Sequence, residues 1–145
     1  MKDVYFSTFY DAMQETKNAT GYTLPLDVEA YVVMLLASFV EKPDFLPSDS
    51  FAESYLKLNP KSTVQAKELG DVCLFVSGIF PNMGKRRSIN KDYYQNIGAS
   101  SYQIVSHYMN ESLFTSLSVH FRFVSDYIEL VTNTNVVKTN NLFDY

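Results

Sequence analysis

Leu69-Gly70-Asp71-Val72-Cys73-Leu74-Phe75-Val76-Ser77-Gly78-Ile79-Phe80 decides the fold: it is an apolar helix with small residues set among large ones. A basic loop follows, and then a Tyr-rich helical segment that carries Tyr93, Tyr94, Gly98, Ala99, Ser100, Ser101 and Tyr102. An interior glycine costs a helix about 1 kcal/mol against alanine. Something must offset that cost at Gly70, Gly78 and Gly98. The structural answer is close approach of the two helices; the functional one is room left for a ligand or partner.

Outward from this segment the apolar residues keep a helical period, and sustained strict alternation is absent. A first helix is expected over Lys2–Ala19, with Val4, Phe6, Phe9, Tyr10 and Met13 toward the core and Gly21 just past its end. Pro25 opens a second helix that runs to Lys42 and ends before Pro43. Val28, Val32, Val33, Leu35, Leu36, Phe39 and Val40 cover most of its circumference, which predicts the central element of a bundle. Ser50 and Glu53 have capping-box spacing and start a short third helix that stops before Pro60. Ser62 and Gln65 repeat the device at the head of the fourth helix, which runs to about Phe80 and is followed by Pro81. Asn90 suits the N-cap of the fifth, where Asp92 complements the positive end of the helix dipole. Asn110 marks a break, and Leu113, Phe114, Leu117, Phe121, Val124, Ile128 and Val131 form the apolar stripe of a sixth. The expected fold is all-α: a compact antiparallel bundle of five long helices and one short one, with a single helical domain over residues 1–131. Residues 132–145 are polar and rich in asparagine, which predicts a frayed tail whose Leu142, Phe143 and Tyr145 could dock on a neighbour.

A chain of 145 residues suits one domain. Its 11 Tyr and 11 Phe, with no Trp, form an aromatic excess of a kind that can fill a core edge, a pocket or an interface. Cys73 is the single cysteine, so no intrachain disulfide forms and a reducing compartment is the natural setting. Inside an apolar helix it reads as buried filler. The start, Met1-Lys2-Asp3-Val4-Tyr5-Phe6, lacks the basic and then apolar pattern of a secretory signal. The longest apolar run, Tyr31–Val40, is interrupted by Ser38 and falls short of the roughly 20 residues of a membrane helix. The expectation is a soluble cytoplasmic protein with no membrane contact.

Leu69-Gly70-Asp71, Leu74-Phe75, Ser77-Gly78 and Phe80-Pro81, followed by Tyr93-Tyr94, Gly98 and Tyr102, form a pattern that covers about a quarter of the chain. It resembles small all-helical bacterial proteins of unassigned function. The resemblance implies a helical fold and a bacterial source, and no catalytic residue.

Lys85, Arg86, Arg87 and Lys91 place four of the twelve basic residues within seven positions. Charge runs are usually solvated loops; the functional reading is an attraction for an acidic partner or an anion, beside the N-terminus of the fifth helix. With Tyr93 and Tyr94 as stacking platforms the same loop suits nucleic acid, which a net charge of −4 opposes. His107 and Glu111 share a face only if the helix is unbroken between them. His120 has no second histidine or glutamate at metal-site spacing, so no metal and no cofactor is expected. Ser77 lacks the glycine spacing of a nucleophile elbow. Asp71 stands in an apolar helix four residues after Lys67. If it faces inward it needs donors, and Tyr93, Tyr94, Tyr102 and Arg122 are available.

Two functions follow. The preferred one is a non-enzymatic interaction or adaptor module that associates with itself or a protein partner through Tyr94, Tyr102, Tyr108, Phe123 and Tyr127. The alternative is a small-molecule binder or enzyme with a pocket between the fourth and fifth helices, around Asp71 and Gly98.

Overall fold

The computed structural model describes residues 2–41, 62–79, 90–109, 111–140 and 142–143. Among them it contains helices and no strand: α1 (Lys2–Thr20), α2 (Leu26–Val40), α3 (Thr63–Ile79), α4 (Lys91–Met109), α5 (Ser112–Val119), α6 (Phe121–Thr132) and α7 (Asn135–Thr139). The short helix expected after Ser50, the stops at Pro43, Pro60 and Pro81, and the break at Asn110 lie outside the described residues.

The boundaries have local causes. Gly21 ends α1 at φ +77°, the left-handed conformation that glycine adopts freely, and its N–H donates to the Lys17 carbonyl at 2.8 Å. Pro25 precedes α2 and accepts the Glu29 N–H at 2.8 Å. Asn90 caps α4, its Oδ1 accepting the Tyr93 N–H at 3.2 Å.

Burial follows the period of each helix. Phe9, Ala12, Met13 and Thr16 form the inner stripe of α1, whereas Val4 and Tyr10, expected inside, are 62% and 43% exposed. Both lie outside the arc that the i, i+3, i+4, i+7 stripe can bury. α3 takes the central place that the sequence suggested for α2. It packs along α4 and also meets α6 and α2, and every residue from Cys73 to Ile79 is buried. α2 instead lies against α1, α3 and α5, and leaves Met34 exposed.

Two further expectations are corrected. The single helix drawn through Leu113–Val131 is α5 and α6, bent at His120 (φ −104°, ψ 22°). The apolar stripe continues through the bend, since Phe114, Leu117, Phe121, Val124, Ile128 and Val131 are all buried. Among the described residues past Thr132, where a frayed tail was expected, α7 buries Val137, and the Phe143 ring lies 5.6 Å from Phe9 and 5.5 Å from Phe75. Phe143 thus docks on this chain's own core, against α1 and α3, while Tyr145 lies outside the described residues. Among the described residues no helix is long and apolar enough to cross a membrane.

Candidate functional site

The small residues of α3 and α4 receive aromatic rings. A methyl group at Gly70 would lie 2.6 Å from the Tyr102 ring, and one at Gly78 would lie 2.5 Å from Ile128 of α6. At Gly98 it would collide with the Phe121 ring and approach the Cys73 Cβ at 2.9 Å. Gly70 and Gly98 therefore do not face each other. Each admits a ring, and Tyr102 and Phe121 stand 5.7 Å apart between α3, α4 and α6. Ser77 Oγ meets Ser125 Oγ at 2.8 Å where α3 crosses α6, so the seam of small residues closes on both sides. Cys73 lies in this packing, fully buried, and burial pushes its thiol well up, which leaves it unreactive.

Asp71 faces inward from α3. Its Oδ1 accepts the hydroxyls of Tyr31 and Tyr102, each at 2.6 Å, and its Oδ2 accepts Lys67 Nζ at 3.2 Å. Such short distances are those of hydroxyls bonded to an ionised carboxylate. Burial pushes the Asp71 carboxyl up from its ordinary range, and the two hydroxyls and Lys67 oppose that rise. Burial also raises both phenols far above their ordinary value, reinforced by the carboxylate beside them. Tyr31 and Tyr102 both pack on Phe114, at 5.7 and 5.8 Å between ring centres. One carboxylate thus ties α2 to α3 and α4 through protein donors on both of its oxygens, an arrangement that fixes helix register.

Of the donors expected for Asp71, Tyr102 is the one used. Tyr93 and Tyr94 lie half-buried against the core with their rings edge to face at 5.1 Å. Arg122 turns to the first turns of α4, where it donates to Asp92 at 2.8 Å, Gln95 at 3.0 Å and Asn96 at 2.9 Å. Gln95, buried, passes the chain on to Ser125 at 3.1 Å. Lys91, expected to attract an anion, pairs with Asp126 at 2.7 Å and with Glu129 on α6. Burial alone would lower its ammonium, but these carboxylates outweigh that and hold it above its ordinary value. Lys85, Arg86 and Arg87 lie outside the described residues. Sequence reasoning missed Tyr31; the signal was a hydroxyl inside an otherwise apolar run, where it requires a partner.

The aromatic surface is smaller than composition implied. Tyr102 and Tyr127, named for an interface, are buried, and Tyr94 is half-buried. Tyr108 and Phe123 remain exposed at 46% and 45%. His107 sets its ring edge against Tyr108 at 4.9 Å, and because α4 ends at Met109 it shares no helix with Glu111. Phe123 belongs to a cluster: Tyr22 meets it edge to face at 6.4 Å, Tyr127 lies beneath it at 6.0 Å, and the Tyr127 hydroxyl donates to the Tyr22 carbonyl at 2.8 Å. Tyr22 is 65% exposed and Leu26, four positions on, 83%.

Comparison with family models, curated proteins and solved structures returns no match. Function is therefore read from these two places alone: a polar knot closed on itself, and an aromatic patch open to solvent.

Proposed function

We propose that this chain is a non-enzymatic helical interaction module that associates with a second copy of itself through the exposed pair of Tyr22 and Phe123. The observation that carries the reading is that pair: two large rings held in mutual contact by the fold and exposed at 65% and 45%. Pre-ordered aromatic side chains lose little entropy on docking and are enriched among the residues that dominate interfaces. The buried thiol of Cys73 suits work in a reducing compartment such as the cytoplasm. Against the alternative pocket between α3 and α4 stand the rings beside Gly70 and Gly98 and the tyrosine hydroxyls on Asp71.

Sedimentation over a wide concentration range tests the reading. The wild type is expected to show a reversible monomer–dimer equilibrium. Phe123→Glu and Tyr22→Glu are each expected to weaken it about 30-fold, the loss of one interface anchor worth roughly 2 kcal/mol. Helical content should stay unchanged, most clearly for Tyr22, which lies outside the helices and is 65% exposed. A wild type that stays monomeric throughout would end the proposal.

A further inference from the structure

Two residues, Asn133 and Thr134, separate α6 from α7. Asn133 lies in the helical region at φ −89°, ψ 0°, and Thr134 has a helical φ of −68°. The turn between the helices therefore rests chiefly on one angle, the Thr134 ψ of 154°. From Phe121 to Thr139 the chain has no proline or glycine, so its sequence permits one continuous helix. Turning the Thr134 ψ to a helical value of about −42° would join α6 to α7. The first N–H groups of α7, which have no partner within so short a helix, would then find carbonyls of α6.

What holds the bend is apolar contact. Val137 is buried, Leu142 packs against the core, and the Phe143 ring lies against Phe9 of α1 and Phe75 of α3. The hydrogen bonds of the segment stay local: the Lys138 N–H donates to the Thr134 carbonyl at 3.1 Å and Asn140 Nδ2 to the Val136 carbonyl at 2.7 Å. No hydrogen bond or ion pair ties the described residues of 135–143 to α1 or α3. Apolar attraction is non-directional, and an identical surface on another molecule supplies it equally well. An open groove of about 220 Å³, walled in part by Thr16, Thr20, Thr134 and Asn135, lies beside the turn and gives it space in which to rotate.

We propose that Thr134 is a hinge at which α7 and Phe143 swing away from their own chain and seat on a second copy, which returns its own segment in a reciprocal two-fold exchange. Phe143 of each copy then meets Phe9 and Phe75 of the other. The exchanged dimer recovers the apolar contacts of the closed chain and adds helix hydrogen bonds across the junction; lost translational and rotational freedom opposes it, so the exchange grows with concentration. In a lone chain the bend wins, because a straight helix would carry Val137 and Phe143 from the core into water. The exchange uses a surface other than the Tyr22–Phe123 pair and stands whether or not that pair docks.

The test uses the full chain in a Phe123→Glu background, so that association through the aromatic pair does not contribute. Equal amounts of isotope-labelled and unlabelled chain are incubated at millimolar concentration, dimer is separated by size exclusion, and isotope-filtered NOE spectra are recorded. Contacts between Phe143 and Phe9 of differently labelled copies are expected in the dimer. Asn135→Pro should lock the bend: proline suits the first position of α7, Thr134 already has the extended ψ favoured before proline, and the same proline would fall inside the straight helix. It is expected to weaken dimerisation about 100-fold with helical content unchanged. Thr134→Ala, a better helix former at the hinge, should strengthen dimerisation several-fold. Because the NOE is read on the chain with its hinge intact, it decides the matter if a hinge variant does not fold. No dimer at millimolar concentration, a dimer whose Phe143–Phe9 contacts all lie within one copy, or an Asn135→Pro chain that dimerises as readily as its parent overturns the proposal.

Discussion

Gly98→Val is expected to lower the unfolding free energy by about 3 kcal/mol, and Gly98→Ala by about 1–2 kcal/mol, despite the better helix propensity of both residues. The two contributions have opposite signs. Removing a glycine from the interior of α4 should gain about 1 kcal/mol. The new Cβ, however, would sit inside the Phe121 ring and 2.9 Å from the Cys73 Cβ, an atom tied to the α3 backbone. Phe121 is 1% exposed and held against Tyr102, so it has nowhere to retreat without moving α6. Crowding wins. The measurement is urea unfolding followed by circular dichroism, with Gly98→Ala repeated in a Phe121→Leu background. Because the two positions touch, the smaller side chain should recover part of the loss, a coupling of about 1 kcal/mol. Strict additivity of the two substitutions would show that the clash does not set the cost.

The second large effect belongs to Asp71. Asp71→Ala leaves the hydroxyls of Tyr31 and Tyr102, 7% and 0% exposed, without an acceptor, and should cost about 3–5 kcal/mol. Asp71→Asn keeps an oxygen for both phenols, removes a buried charge and should stay within about 1 kcal/mol of the wild type. Alkali exposes the same knot. Each phenol has a folded-state pKa raised above its unfolded value, so its contribution is fully present below about pH 10 and is lost as pH climbs beyond that. The loss is about 1.4 kcal/mol per phenol for each pH unit above ten, until the folded-state pKa is reached. Asp71 acts at the other end of the scale: with its folded pKa raised, its contribution is greatest in acid and declines as pH rises through that pKa. The check is chemical denaturation between neutral pH and about pH 11, with tyrosinate absorbance read in parallel. Tyr31→Phe/Tyr102→Phe should show a shallower alkaline slope than the wild type. An equal slope in both proteins would place the alkaline loss elsewhere.

Helices were the legible part. Gly21, Pro25, Asn90 and the 3.6 period placed α1, α2, α3 and α4 within about two residues of where they lie, because caps and breakers act locally. The bend at His120 was not legible: the chain has no proline or glycine there, and the apolar stripe keeps its spacing through it. Burial at Val137 and Phe143 was hidden for a related reason. A short apolar segment among asparagines looks solvated until a partner surface, here Phe9 and Phe75, is in view. At Asp71 the need for inward donors followed from its position in an apolar helix. Which donors meet it depends on how α2 and α4 rotate about α3, and that is a property of packing. Arg122 shows the limit well: chemically apt, it projects from α6 toward the first turns of α4, about two turns before Tyr102, and serves Asp92, Gln95 and Asn96 instead.

The fold also implies an order of assembly. Most of the contacts of α3, α4 and α5 join neighbours along the chain, whereas α1 packs on α2 and also on the distant α6 and α7, and the Tyr127 hydroxyl reaches a carbonyl 105 positions earlier. Closing so long a loop before any contact rewards it is slow, so the α3–α5 unit is expected to form first and α1 to close on it afterwards, through Phe9 and the Tyr22 carbonyl. Substitutions at Phe9 should then speed unfolding and leave the refolding rate nearly unchanged, while those at Tyr102 should slow refolding. The solvent-facing Tyr22–Phe123 contact lies on that seam, so this exposed pair should be the last part of the surface to form.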